Sequence, residues 1–63
     1  MDKKIYRVTF KYSESVFCSN VVIADDVEQV ASHYRKYSSV YIEEGNAHDV
    51  EDAKRRGKPI VRL

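Results

Sequence analysis

The chain has 63 residues, 43% of them hydrophobic, and 11 Lys and Arg nearly balance 10 Asp and Glu, for a formal net charge of +1. A domain of this size hides only about 60% of the surface its unfolded chain exposes, so its stability margin is thin. A single cysteine excludes a disulfide within the chain, two histidines beside it are a poor basis for a zinc module, and the balanced charge argues against an acidic nucleic-acid mimic or a generally basic coat.

The longest apolar run is Val21-Val22-Ile23, too short for a membrane span or a signal-peptide core. With its lone thiol reduced, the chain is expected to be a complete small cytoplasmic protein. Nine Val and four Ile against one Leu, together with seven aromatics, suit a pleated, half-buried surface better than a helical bundle.

Residues 5–12 alternate, with Tyr6, Val8, Phe10 and Tyr12 on one face and Ile5, Arg7, Thr9 and Lys11 on the other, which predicts a strand with one wet side. After Ser13-Glu14-Ser15, a second apolar run from Val16 to Ala24 predicts the return strand of a hairpin. Pairing residues whose numbers sum to 29 sets Tyr12 against Phe17, Val8 against Val21 and Tyr6 against Ile23. It also sets Cys18 against Lys11 and Asn20 against Thr9 on the wet side. A slip of one residue would carry Asn20 and Cys18 inward, so the hydrophobic pattern favours the first register. The turn has neither Gly nor Asn, which disfavours a tight primed turn and predicts a four-residue loop.

Asp25 or Asp26 can cap a helix over residues 26–37, with Val27, Val30, Ala31, Tyr34 and either Tyr37 or Ser38 in its apolar stripe. Two strands alone are marginal, so this helix is expected on the aromatic face of the hairpin. Val40-Tyr41-Ile42 predicts a short third strand ending at Gly45-Asn46. Asn46 can cap a second helix that stops at Gly57 and turns Ala47, Val50 and Ala53 inward. Residues 59–63 predict a last strand with Pro59 at its start. The expected fold is a single α+β domain over residues 1–63. Its order is ββαβαβ, with a sheet of three to four strands that begins with a β-hairpin and a main helix packed on one face.

Charge is segregated near the C-terminus: Glu43, Glu44, Asp49, Glu51 and Asp52 precede Lys54, Arg55, Arg56, Lys58 and Arg62. Helix electrostatics account for this directly, because carboxylates favour a helix start and cations its end. Glu51 with Arg55 and Asp52 with Arg56 also have favourable i,i+4 spacing. The competing interpretation is a nucleic-acid surface made of these five basic residues with Arg7 and Lys11.

Of five tyrosines, Tyr6, Tyr12 and Tyr34 fall on predicted core faces, leaving Tyr37 and Tyr41 as candidate partner-binding residues. Cys18 and the histidines form no recognisable nucleophile–base motif, and Gly45 and Gly57 are isolated rather than part of a phosphate loop. Glu43, Glu44, His48, Asp49 and Asp52 lack the spacing of a known metal loop. The expectation is therefore a noncatalytic, cofactor-free adaptor or inhibitor-like protein that binds another protein, with self-association through a strand edge as a variant. Nucleic-acid binding through the basic cluster is the alternative.

Overall fold

A computed structural model describes residues 2–63. Strands β1 (Lys4–Ser13) and β2 (Val16–Ala24) form the hairpin, followed by helix α1 (Val27–His33), strand β3 (Ser38–Glu44), helix α2 (Ala47–Arg56) and strand β4 (Ile60–Arg62). The four strands form one sheet in the order β3-β1-β2-β4. β1 runs antiparallel to both neighbours, and β4 joins β2 in parallel. The fold is mixed α+β with the expected element order.

The core is built from alternate residues. Tyr6, Val8 and Phe10 of β1, Val22 and Ala24 of β2, and Val30 and Tyr34 from α1 and its end form one buried cluster. Cys18, Tyr37, Val40, Ile42, Val61 and Leu63 pack around it. Phe10 anchors the aromatic part, with ring centroids 5.1 Å from Tyr34 and 4.5 Å from Tyr37. Helix α2 lies on the opposite face and buries Ala53.

The hairpin differs from the expected one in loop and register. Only Glu14 and Ser15 connect the strands, not four residues, and neither has the positive φ of a primed turn. An unprimed turn splays its strands, and the mismatch is taken up one residue earlier. Ser13 pairs with Val16, but Lys11 already pairs with Phe17, so Tyr12 is an extra residue bulged out of β1. The expected sum of 29 therefore holds only at the turn. From Lys11 to Lys4 the sum is 28, which sets Phe10 against Cys18, Val8 against Asn20 and Tyr6 against Val22.

This is the slipped register that polarity disfavoured. It is tolerated because the Asn20 side-chain amide donates a hydrogen bond to the Tyr34 hydroxyl at 3.0 Å, so neither polar group is left unpaired in the core margin. Cys18 accordingly sits on the core side, against Phe10 rather than Lys11. Tyr12 does not join the core: the bulge lies beyond the reach of α1 and leaves it 66% exposed.

Helix α1 is shorter than the predicted span of 26–37. Asp26 caps it by accepting from the Gln29 amide, and the Gln29 side chain in turn accepts from the Asp25 amide. The chain leaves the helix at Tyr34, and the Tyr37 amide then bonds the Tyr34 carbonyl three residues back. The i,i+3 spacing of Tyr34 and Tyr37 keeps both rings on one side through this turn, and both meet Phe10. Val27 and Ala31, expected in the buried stripe, are exposed.

Strand β3 carries a second bulge. Thr9 pairs with Tyr41 but Lys11 with Ser38, and Ser39 takes up the extra residue at φ 53°, where an L-residue loses roughly 1–2 kcal/mol. Helix α2 matches its predicted limits. Asn46 and Asp49 form a reciprocal capping box, and Gly57 ends the helix in the left-handed conformation at φ 68°. Gly45 makes the entry possible, since a Cβ there would lie 2.9 Å from the Asp49 carboxylate that completes the box.

The register can be tested through its polar pair. Tyr34→Phe strands the half-buried Asn20 amide and should lower the unfolding free energy by about 1 kcal/mol, with a similar loss for Asn20→Val. Because the double variant removes both partners, urea unfolding should show it losing clearly less than the sum of the two. Strict additivity would mean that the bond does not stabilise this register.

Candidate interaction surface

The two faces of the sheet are covered unequally. α1 and the turn after it close the core face. On the other face α2 starts beside Gly45 and ends at Gly57 before β4, so it covers one end of the sheet and leaves the hairpin end open. The register orders that open face in rows. Tyr41, Thr9 and Ser19 form one row across β3, β1 and β2, and Lys11 with Phe17 forms the row nearer the turn. Thr9 and Ser19 hydroxyls lie 3.2 Å apart, which fixes the polar centre of the face.

Four large apolar side chains stand exposed toward this end of the sheet: Tyr12 at 66%, Tyr41 at 64%, Phe17 at 56% and Val16 at 46%. Phe17 and Tyr41 lie on the α2 face, and Tyr12 and Val16 lie on the α1 face beyond the helix. Burying one such side chain contributes about 1.5–3 kcal/mol. A single core of this size supplies a net stability of only about 3–5 kcal/mol. Leaving four large apolar groups outside, two on each face, is thus a large forgone gain, and exposed apolar surface concentrated at one end of a fold is characteristic of interaction sites.

Tyr37 and Tyr41, paired as candidates by sequence, occupy different environments. Tyr37 is half-buried against Phe10, with the Lys36 ammonium 5.3 Å from its ring centroid. Tyr41 projects from β3 opposite Thr9 and is free. Tyr12, Val16 and Phe17 were missed as surface residues. Their signal was the turn without Gly or Asn, which disfavours a tight primed turn and is met here by a two-residue turn with a bulge at Tyr12.

The seven basic residues proposed for nucleic acid are spread over the fold. Arg7 and Lys58 line an open cleft of about 250 Å³ between α2 and the sheet, but Glu43, Asp49 and Asp52 line it too. Arg7 lies 3.5 Å from Glu43 and Arg56 lies 3.3 Å from Asp52, both exposed pairs of the kind that contribute little. The Asp52–Arg56 pair forms as spaced, whereas Glu51–Arg55 is not an ion pair among the described residues. Lys54 and Arg55 are exposed on the last turn of α2, Lys11 is half-buried in the row of Phe17, and Arg62 is exposed on β4.

Among the described residues no three His, Cys, Asp or Glu side chains converge as metal ligands, and no helix is long and apolar enough to cross a membrane. Asp49 is engaged in the α2 capping box instead. Searches against protein-family models, curated proteins and solved structures found no match to this chain.

If the hairpin end is a surface rather than a strained part of the core, its apolar residues can change without weakening the fold. Tyr12→Thr and Phe17→Thr, which replace an aromatic by a β-branched residue that also suits a strand, should each shift the unfolding free energy in urea by no more than about 0.5 kcal/mol. Phe10→Ala should instead lose about 3–5 kcal/mol, enough to unfold most of the chain. A comparable loss at Phe17 would place it in the stabilising core.

Proposed function

We propose that the chain is a noncatalytic binding module whose partner is another protein, held at the hairpin end of the sheet. The observation that carries this is the group Tyr12, Val16 and Phe17, exposed on the two faces of the sheet around one two-residue turn, with Tyr41 further along the α2 face. Aromatic side chains bring large contact area at low entropic loss, and Lys11 and the Thr9–Ser19 hydroxyl pair give that patch a polar frame. An adaptor, or an inhibitor that covers a partner's site, uses a surface of this kind.

A noncatalytic role is further supported by the absence from the sequence of any recognisable nucleophile–base or phosphate-loop motif. A cytoplasmic setting is supported by the lone Cys18, which has no second cysteine in the chain to bond. The mixed charge of the Arg7–Lys58 cleft favours protein over nucleic acid as the partner.

The test is affinity capture from the native host with nuclease-treated extract, comparing the wild type with the Tyr12→Thr/Phe17→Thr double variant and with Lys54→Ala/Arg55→Ala. A protein recovered by the wild type should be lost, at least about tenfold, with the hairpin variant, as expected when two aromatic anchors are removed. It should be retained by the α2 variant. Recovery that depends on Lys54 and Arg55, or that occurs only in a parallel extract left without nuclease, would shift the function to nucleic acid.

A further inference from the structure

The free edge of β3 carries its own chemistry, separate from the hairpin turn. The Gly45 amide donates to the Ile5 carbonyl at 2.8 Å, so Ile5 and Gly45 are a hydrogen-bonded pair of the antiparallel ladder. By alternation Arg7–Glu43 and Thr9–Tyr41 are hydrogen-bonded pairs too, and Glu43 and Tyr41 turn their backbone groups toward β1. Val40, Ile42 and Glu44 therefore turn their N–H and C=O groups outward, away from the sheet. The bulge at Ser39 closes this run at one end and Gly45 closes it at the other.

We infer that this edge pairs antiparallel with the same edge of a second copy of the chain, about a two-fold axis at Tyr41. Symmetry and alternation leave few registers, because outward-facing residues must meet outward-facing residues. Centred on Tyr41, Val40 meets Ile42 of the second copy twice, and Tyr41 meets Tyr41. Glu43 and Glu44 then fall beside Ser39 and Ser38, and no carboxylate opposes another. Centring on Ile42 sets Tyr41 against Glu43 and Val40 against Glu44. Centring on Glu43 sets two glutamates face to face, which is destabilising. Centring on Val40 sets Tyr41 and Ile42 against Ser39 and Ser38 at the bulge, so only the Tyr41 register gives all of Val40, Tyr41 and Ile42 apolar partners and keeps the charges apart.

That register also accounts for two exposed side chains on opposite faces. Tyr41, 64% exposed, gains a cross-strand aromatic partner on the α2 face. Val27, the other large apolar residue left exposed away from the hairpin end, lines the groove beside Ile42 on the α1 face, where the second copy's Val40 would lie. Five strand residues bury less than the roughly 1,200 Å² of a stable specific interface, so the association is weak and concentration-dependent. It does not require a partner at the hairpin turn, and it stands or falls apart from that proposal.

The experiment uses the whole chain with Cys18→Ala to remove the native thiol. At a two-fold axis on a non-hydrogen-bonded pair the Cα atoms are about 4.5 Å apart, within the range a disulfide spans. Tyr41→Cys should therefore cross-link most chains into dimers under mild oxidation. Ser19→Cys, exposed on the same face two strands inward, should stay near background. Independently, the unmodified chain should sediment progressively faster from about 10 μM to about 1 mM, as a weak dimer forms, and Tyr41→Lys should hold it monomeric. Equal cross-linking at positions 41 and 19, or an unmodified chain that stays monomeric throughout, would overturn the inference.

Discussion

The fold depends on one residue being left out of a ladder. Glu14-Ser15 turns the chain without the positive φ values that match strand twist, and Tyr12 is bulged from β1 to absorb the difference. That bulge sets every pair from Lys11 to Lys4, and so decides which β2 side chains enter the core. Asn20 is carried inward with Cys18, and the core accepts it because Tyr34 offers a hydroxyl at hydrogen-bond distance. Tyr34 stands at the C-terminal cap of α1, its amide still bonded to the Val30 carbonyl, and its ring packs on Phe10. Turn and register follow from a single geometric mismatch, and the aromatic cluster supplies the partner that the register needs.

The same mismatch generates the surface. Had the register run straight through the turn, Tyr12 would have faced Phe17 and extended the core by one layer. Bulged, Tyr12 leaves the core together with Val16, and Phe17 falls on the face that α2 does not reach. A domain of this size has little stability to spare, yet it keeps these groups in water. The proposed protein contact at the hairpin end and the proposed self-pairing at β3 both rest on apolar side chains that the fold positions and does not cover.

Much of the architecture was legible in the sequence. Element order followed from alternation in residues 5–12, the Asn46 and Gly57 signals around α2, and Pro59 ahead of the last strand. The register was not, because counting polarity cannot see that Asn20 has a partner 14 residues away in another element. A helical wheel put Tyr34 and Tyr37 on one stripe but could not show that the helix ends at His33 and that Val27 and Ala31 stay exposed. For the surface, Tyr41 was identifiable as an apolar residue without a role. Tyr37 looked equivalent and lies half-buried against Phe10, and Phe17 was assigned a cross-strand partner that the bulge removes. The segregated charges are a local feature of α2 in part: Asp49 serves its cap, Asp52 meets Arg56, and Glu43 lies beside Arg7.

The most direct measurement is the pattern of Hα–Hα nuclear Overhauser contacts between β1 and β2. Ile5 and Arg7 turn their backbone groups to β3, so Ile5–Ile23, Arg7–Val21 and Thr9–Ser19 are the close, non-hydrogen-bonded pairs of the hairpin. Strong Hα–Hα contacts at these three pairs are the expected result. Contacts at Val8–Val21 or Tyr6–Ile23 would restore the unbulged register and with it a buried Tyr12, contradicting both the core and the surface described above.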